Sequence, residues 1–199
     1  MCGIIGYIGP RQVHDVLLEG LSRLEYRGYD SAGLAVHTGD EVLTERTVGN
    51  LAVLRRAMSA GWAAHDATTT STVDVAAGIA HTRWATHGGV TEANTHPHTD
   101  CGDRIHVVLN GIIENHQELR ARLADDGCAF TSETDAEPIA HLIEHHLRAV
   151  DDLHEAVRRT VLELEGHFAI VVLDRDEPHT LIAARRDCPL VVGLGDGET

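Results

Sequence analysis

The chain has 199 residues, of which 43% are hydrophobic and 24% charged, so it can bury a core without disulfide bonds. Its formal net charge of −15, with no basic run longer than a pair, argues against a nucleic acid or an anionic membrane as partner. No apolar run approaches the roughly 18 to 20 residues of a membrane-spanning helix, and the N-terminus lacks signal-peptide features, so we expect a cytoplasmic protein.

The first half of the chain alternates short apolar runs with helical patterns. Val13, Leu17, Leu21 and Leu24 recur at helical spacing, and Gly39-Asp40 is a strong hairpin signal. Residues 63–74 are rich in threonine, have no periodicity and predict a loop. The predicted strands are 3–9, 31–39 and 41–49, and the predicted helices are 11–28 and 51–61.

The second half groups its strands and helices separately. The predicted strands are 75–84, 104–115, 167–176, 180–186 and 190–198, the predicted helices 115–127, 135–150 and 152–166, and the polar segment 85–103 is a loop. Thr134 and Glu137 form a capping-box pattern at the start of the middle helix. The order β-α-ββ-α-ββ-α-α-α-βββ favours a layered α+β fold over alternating parallel βαβ units.

Cysteine and histidine spacing offers little for a metal. The cysteines Cys2, Cys101, Cys128 and Cys188 are widely spaced without a CxxC pair, which predicts free thiols and neither a disulfide framework nor a zinc knuckle. The densest histidine sets are His96 with His98, and His141 with His145 and His146. The i, i+4 pair matches part of a zinc site, but no glutamate follows its first histidine. We therefore expect neither metal nor cofactor, with a histidine-based metal protein as the alternative.

Cys2 has two possible interpretations. A free thiol has a pKa near 8.5 and needs a base to become a good nucleophile. Removal of Met1 would expose the α-amino group of Cys2, with a pKa of about 7.7 to 8.0, on the same residue as the thiol. This is the arrangement of N-terminal nucleophile hydrolases. The alternative is a cysteine buried in an N-terminal strand.

Three further positions could carry chemistry, each with a purely structural alternative. Arg83, at the end of a predicted strand, could bind a carboxylate bidentately or be a surface arginine. Asn110-Gly111 offers an amide side chain and an unobstructed backbone N–H that could stabilise an oxyanion, or is simply a turn. Asp135, predicted in the first turn of a helix, could bind a cation or complement the helix dipole.

Six segments together resemble a known family in order across essentially the whole chain. They read CGIIGYIG at the N-terminus, LEYRGYDSAGLAV at 24–36, AHTRWATHG at 80–88, THPHTD at 95–100, LNGIIENHQELR at 109–120 and SETDAE at 132–137. They are similar to the glutaminase domain of glucosamine-6-phosphate synthases, the isomerising glutamine–fructose-6-phosphate aminotransferases. The resemblance implies the four-layer αββα sandwich of N-terminal nucleophile hydrolases. Leu109 departs from the family, which usually has histidine before Asn-Gly.

The resemblance also implies a reaction and its residues. Cys2 would attack the side-chain amide of L-glutamine and form a thioester, which water hydrolyses to glutamate after ammonia leaves. Asn110 and the Gly111 amide would form the oxyanion hole. Arg83 would bind the α-carboxylate of glutamine, and Asp135 its α-ammonium group.

Other matched positions receive supporting roles from the resemblance. Gly88 and Gly89 would let a loop move. Arg27 and Gly28 would abut the nucleophile, and His96 would have a structural or sugar-sensing role. The residues expected to line or close the pocket are Trp84, Thr86 and His87.

The resemblance places residues 1–199 as one glutaminase domain, truncated at its C-terminus and lacking the sugar isomerase domains. In a full-length homodimer the ammonia would aminate fructose 6-phosphate, whereas this chain alone would hydrolyse glutamine at best. The alternatives are an amidotransferase of the same class with another acceptor, and a non-catalytic glutamine-binding module.

Overall fold

The computed structural model describes residues 2–62, 76–86 and 88–199. Met1 and His87 lie outside the described residues, so the predictions made for them have no structural counterpart here, and the same holds for the predicted loop 63–74. Within the described ranges, no helix combines the length and apolarity needed to cross a membrane.

The first sheet is antiparallel, with the strand order β1-β4-β2-β3. Its strands are β1 (Gly3–Gly9), β2 (Ser31–His37), β3 (Val42–Val48) and β4 (Ala76–Arg83). The hairpin predicted at Gly39-Asp40 joins β2 to β3 and is confirmed, because these strands pair directly. The helices α1 (Val13–Leu24) and α2 (Leu51–Gly61) bury apolar residues such as Leu17, Leu21 and Leu54 against the sheet.

The second sheet is also antiparallel, with the order β5-β6-β7-β8. Its strands are β5 (His98–Thr99), β6 (Ile105–Ile113), β7 (Gly166–Asp174) and β8 (Leu181–Arg186). The helices that cover it are α3 (His116–Asp125), α4 (Glu137–Val150) and α5 (Leu153–Glu163). They bury the largest apolar cluster in the described residues, with Phe168 and Ile139 fully buried.

The two sheets pack face to face through a third, smaller cluster. Ala35 and Ile79 from the first sheet meet Val108, Val171 and Leu173 from the second. Each sheet therefore carries helices on one face and the other sheet on the opposite face. This arrangement confirms the predicted α+β fold with four αββα layers.

Two strand predictions are wrong. The two-residue strand β5 lies inside the predicted loop 85–103. Residues 190–198 form no strand. The backbones of Thr199 and Ile8 exchange two hydrogen bonds, each N–H donating to the other residue's carbonyl oxygen at 2.9 Å. Three glycines interrupt this segment and its apolar side chains stay exposed, so it has no buried face to hold it against a sheet.

The capping box predicted at Thr134 and Glu137 is not formed. Helix α4 begins at Glu137, and its N-cap residue, Ala136, has no side chain that could cap it. Glu137 instead accepts hydrogen bonds from the backbone N–H and hydroxyl groups of Thr131 and Ser132 at 2.7–2.8 Å. Asp135 therefore precedes the helix and does not belong to its first turn.

Candidate active site

Cys2 lies directly before β1, beside the end of β4. Gly3 pairs with Thr82, which brings the Cys2 thiol next to Trp84. Its Sγ accepts a hydrogen bond from the Trp84 backbone N–H at 3.2 Å. Burial raises the pKa of the Cys2 thiol, and the Trp84 N–H partly opposes that effect. The thiol is therefore protonated at neutral pH, and nucleophilic attack by it needs a base.

Arg83, the last residue of β4, is almost fully buried. Its guanidinium donates to the carbonyl oxygens of Gly89 at 3.0 Å and Gly88 at 3.4 Å. Burial lowers the pKa of Arg83, although a guanidinium stays charged at any physiological pH. The two carbonyl oxygens thus accept hydrogen bonds from both terminal nitrogens of Arg83. A carboxylate could accept from the same two nitrogens in a bidentate pair.

Asn110 and Gly111 lie in β6. The Asn110 side-chain amide donates to the Cys2 carbonyl oxygen at 3.3 Å. Gly111 has φ of +113°, and a Cβ there would lie 2.0 Å from the His167 carbonyl oxygen. Only glycine fits this position, since the backbone conformation and the approach of β7 both exclude a side chain.

Asp135 is buried just before α4, and its carboxylate accepts a hydrogen bond from the Ile113 N–H at 2.9 Å. Ile113 is the last residue of β6, two positions beyond Gly111. This hydrogen bond fixes Asp135 against the same strand that carries the Asn-Gly pair.

A small cavity joins these groups. Its volume is about 20 Å³, which is room for about one water molecule. Glutamine is many times larger and could enter only if the surrounding segments moved apart. The cavity is lined by Cys2, Arg83, Trp84, Thr86, His96, Leu109, Gly111, Thr134 and Asp135. The structure thus brings together most of the residues predicted for the site.

Arg27 and Gly28 occupy different places. Gly28 packs against the peptide that joins Arg83 to Trp84, so closely that a Cβ would lie 2.8 Å from the Arg83 carbonyl carbon. Trp84 donates its backbone N–H to the Cys2 sulfur, so Gly28 lies one residue contact away from the nucleophile, and its predicted role there stays a prediction. Arg27 lies in a short 3₁₀ turn, Glu25–Arg27, and does not line the described cavity. Trp84 as a residue is 44% exposed, and its ring meets that of Tyr29 edge-on with the ring centroids 5.7 Å apart.

Asp30 is a site residue that the sequence reasoning missed. Its backbone N–H donates to the Arg83 carbonyl at 3.1 Å, and its carboxylate accepts from the Ala85 N–H at 2.9 Å. Asp30 thereby holds the chain on both sides of Trp84. The available signal was its place in the YRGYDSAG segment, where only Arg27 and Gly28 received a role.

Asn94 and Glu133 were also missed, and together they hold the segment over Arg83. The Asn94 amide donates to the Gly89 carbonyl at 3.1 Å and to the Glu133 carboxylate at 3.0 Å, and accepts from the Glu133 N–H at 2.8 Å. Glu133 also accepts from the Gly89 N–H at 3.2 Å. The glycine segment that covers Arg83 is therefore anchored two residues before Asp135.

Three buried histidines lie together, and one of them, His96, lines the cavity. His81 and His96 stack with ring centroids 4.1 Å apart, and His98 meets His96 edge-on at 4.7 Å. Burial lowers the pKa of His81 to about 4 and holds the pKa of His96 well below its usual value. His96 Nδ1 accepts a hydrogen bond from the Leu109 N–H at 3.3 Å, which requires that nitrogen to be unprotonated. These rings are neutral packing partners at neutral pH, and the sugar-sensing role of His96 stays a prediction.

The second histidine set does not form a cluster of its own. His145 lies 3.7 Å from Asp126, and His146 lies 2.7 Å from Glu163, so both face carboxylates. His141 is buried and points elsewhere, toward Cys101.

The arrangement places a thiol, the Gly111 backbone, a buried cation and a buried carboxylate around one cavity, whereas the Asn110 side chain donates to the Cys2 carbonyl oxygen without lining that cavity. A protein-family model described as a glutamine amidotransferase domain matches residues 81–197, more than half of the chain. The chain belongs to the glutamine amidotransferase domain family.

Curated relatives match this amidotransferase domain along its whole length. They are proteins named glutamine–fructose-6-phosphate aminotransferase [isomerizing] from Idiomarina loihiensis (51% identical), Streptomyces coelicolor (49%) and Pyrococcus horikoshii (48%). Each alignment covers 100% of this chain and 31% of the relative. The chain therefore spans about a third of the length of the curated relatives that it matches.

Two solved structures share the fold of this amidotransferase domain. One is a glutamine phosphoribosylpyrophosphate amidotransferase from B. subtilis, with a TM-score of 0.71 and 20% identity over 92% of this chain and 37% of the other. The second, described as the allosteric regulatory enzyme of purine biosynthesis, gives a TM-score of 0.70 and 21% identity over 88% and 36%. At these identities the likeness establishes the fold.

Proposed function

We propose that this chain hydrolyses the side-chain amide of L-glutamine through a thioester on Cys2, releasing glutamate and ammonia. One observation carries the proposal: the Cys2 thiol shares a single cavity with Arg83, Gly111 and Asp135. A protein that only bound glutamine would have no need of a thiol at that position.

The proton transfers follow from the state of the thiol. Because burial raises the pKa of the Cys2 thiol, the group needs a base close by. In our proposal Met1 is removed and the α-amine of Cys2 accepts the thiol proton as sulfur bonds to the amide carbon. The C–N bond then breaks, and the protonated amine returns its proton to the departing ammonia. Water hydrolyses the thioester and regenerates the thiol.

The developing oxyanion needs hydrogen-bond donors near the Cys2 sulfur. The Asn110 amide, which donates to the Cys2 carbonyl oxygen in this structure, lies close enough to the sulfur-bearing residue to serve. The Gly111 N–H is the second donor in the proposal. In other enzymes the loss of one such donor lowers kcat by about 10² to 10³.

Substrate selection depends on two buried charges. Arg83 would exchange its bonds to the Gly88 and Gly89 carbonyls for the α-carboxylate of glutamine, while Asp135 binds the α-ammonium group. Since the cavity holds about one water, Gly88 and Gly89 have to move away from Arg83 before glutamine enters. Asparagine is one methylene shorter, so its amide would not reach the sulfur.

The whole chain acts as one domain in this proposal. The support is the agreement over 100% of the chain with glutamine–fructose-6-phosphate aminotransferases. Within a longer protein the ammonia would pass to fructose 6-phosphate to give glucosamine 6-phosphate. The homodimer, the cytoplasmic location and the absence of a nucleic acid or membrane partner stay predictions.

The proposal is tested by labelling with a diazo-ketone analogue of glutamine, followed by intact and peptide mass spectrometry. We expect loss of Met1 and one adduct, located on Cys2, in a preparation that releases ammonia from glutamine but not from asparagine. Cys2→Ser should abolish labelling and turnover, whereas Cys188→Ser, which changes a thiol outside the site, should leave both unchanged. Adducts spread over the four cysteines, or turnover that survives Cys2→Ser, would refute it.

A further inference from the structure

A second group of reactive side chains lies outside the candidate active site. One sulfur each from Cys101 and Cys128, one ring nitrogen of His141 and one carboxylate oxygen of Glu144 all lie within 4.8 Å of one another. Among the described residues, this is where at least three potential metal-ligating side chains converge. We name Cys101, Cys128, His141 and Glu144 the distal cluster.

Three separate elements bring the cluster together. Cys101 lies in the turn between β5 and β6, which is fixed because the Asp100 carboxylate accepts the Ile105 N–H at 2.9 Å. Cys128 follows α3 and donates its N–H to the Leu123 carbonyl at 2.9 Å. His141 and Glu144 are three residues apart on α4, so they lie on the same face of that helix.

His141 is oriented as a ligand would be. Its Nδ1 lies 3.7 Å from the Cys101 sulfur, and its Nε2 lies 3.9 Å from the Glu137 carboxylate on the far side of the ring. The side chain is only 2% exposed. A ring with one nitrogen toward the ligand group and the other toward a carboxylate is the usual setting of a metal-binding histidine.

Glu144 brings a carboxylate to the cluster, and one of its oxygens lacks a hydrogen-bond partner among the described residues. One of its carboxylate oxygens pairs with Arg148, and the other, Oε2, is buried without a hydrogen-bond partner in the described structure. Potential anions are thus crowded together, with Arg148 at the edge of the group, and a cation among them would compensate their charge.

The ligand chemistry matches zinc. Zn²⁺ binds thiolate sulfur at about 2.3 Å and imidazole nitrogen at about 2.0 Å in a tetrahedral shell, which puts two sulfur ligands roughly 3.8 Å apart. The separation of at most 4.8 Å in the cluster requires only small side-chain shifts to reach that geometry. Two sulfurs, one nitrogen and one oxygen complete four-coordination without water, as in closed structural sites.

We propose that the distal cluster is a structural Zn²⁺ site that ties the β5–β6 turn and the end of α3 to the middle of α4. Binding deprotonates both thiols and releases two protons to solvent. The site also reaches toward the active site, because His141 rests against Glu137, which accepts hydrogen bonds from Thr131 and Ser132 ahead of Asp135. Zinc would therefore stiffen the segment that presents Asp135.

Zinc and cobalt binding to the 199-residue chain test this proposal. We expect one equivalent of Zn²⁺ to remain after gel filtration, and Co²⁺ substitution to give the near-ultraviolet charge-transfer band of thiolate ligation. Cys128→Ser should lose both signals, while Cys188→Ser and Cys2→Ser retain both. Glu137→Gln keeps all four ligands and should weaken zinc affinity by about 10- to 100-fold, the usual effect of removing a partner of a histidine ligand.

Three results would overturn the proposal. One is the absence of a stoichiometric metal from reduced protein supplied with Zn²⁺. Another is binding that survives Cys128→Ser but is lost in Cys2→Ser, which would place the metal at the active-site thiol. The third is a disulfide between Cys101 and Cys128 in protein purified under reducing conditions, because such a bond consumes both sulfur ligands.

Discussion

Replacing Gly111 by alanine tests the packing on which the Asn-Gly pair depends. Gly111 has φ of +113°, and an added Cβ would lie 2.0 Å from the His167 carbonyl oxygen and 2.8 Å from the Phe168 Cα. The strained backbone costs about 1 to 2 kcal/mol. The clash is with the backbone of β7, the direct partner of β6, so overpacking adds about 1 to 3 kcal/mol.

Gly127 offers a matched control for the backbone contribution. It has φ of +95°, but an added Cβ would have nothing within 4 Å, so Gly127→Ala carries the strain without the clash. Gly193→Ala carries neither, since its Cβ would also lie in open space and its φ is not in the positive range. The free energy of unfolding should therefore fall by about 2 to 5 kcal/mol for Gly111→Ala and by about 1 to 2 kcal/mol for Gly127→Ala.

Urea denaturation of the three variants and the parent chain, in buffer with a chelator, measures these differences. Since 1 kcal/mol shifts the Tm of a chain of this size by about 2 to 4 °C, thermal unfolding should place Gly111→Ala about 4 to 20 °C below the parent. Gly193→Ala should unfold with the parent. If Gly111→Ala proved no less stable than Gly127→Ala, the close approach of β7 to β6 would not be the reason for glycine at this position.

Buried charges and hydrogen bonds give three more predictions. Burial lowers the pKa of His81 and of His106 to about 4. Below pH 6.5 these histidines therefore bind protons in the unfolded chain but not in the folded chain. The free energy of unfolding should fall by up to about 3 kcal/mol per histidine between pH 6.5 and about 4. Urea titrations across that range should give a shallower fall for His106→Leu, and an equal fall would contradict the assignment. Arg104 donates to both carboxylate oxygens of the fully buried Asp174 at 2.9 Å and is itself 30% exposed. Arg104→Met leaves the buried Asp174 carboxylate without its cation and should lower the free energy of unfolding by about 3 to 5 kcal/mol, more than Asp174→Asn does. Urea denaturation of both variants measures the difference, and the opposite order would contradict this prediction. Asp30→Ala removes the acceptor for the Ala85 N–H and should raise the KM for glutamine more than it lowers kcat, because it displaces the Arg83 segment and not the reacting atoms. An unchanged KM in steady-state assays of ammonia release would exclude that positioning role.

The zinc proposal and the glutaminase proposal can fail separately. Zinc binding is measured on Cys101, Cys128, His141 and Glu144 without turnover, and labelling of Cys2 needs no metal. If both hold, removing zinc should raise the KM for glutamine, since the cluster supports the segment that carries Asp135 through Glu137.

The sequence by itself determined most of the secondary structure. Strand and helix periodicities record which face of a segment is buried, and this information is local. The apolar face of α1, the β2–β3 hairpin and the three helices over the second sheet therefore follow from the order of the residues alone. Residue chemistry singled out Cys2, Arg83, Asn110, Gly111 and Asp135 as candidates, and the family resemblance of their segments assigned their roles.

Only the tertiary structure decided which distant groups meet. Glu137 turns back to Thr131 and Ser132, and not to a helix cap at Thr134, because buried donors there need a partner. Asp30 reaches the Arg83 segment through the pairing of β2 with β4. Cys101, Cys128 and His141 are far apart along the chain, so spacing rules could not join them, whereas the packing of α3 and α4 on the second sheet does. Local patterns fix the faces that a chain buries, but contacts between remote side chains exist only once those faces have packed.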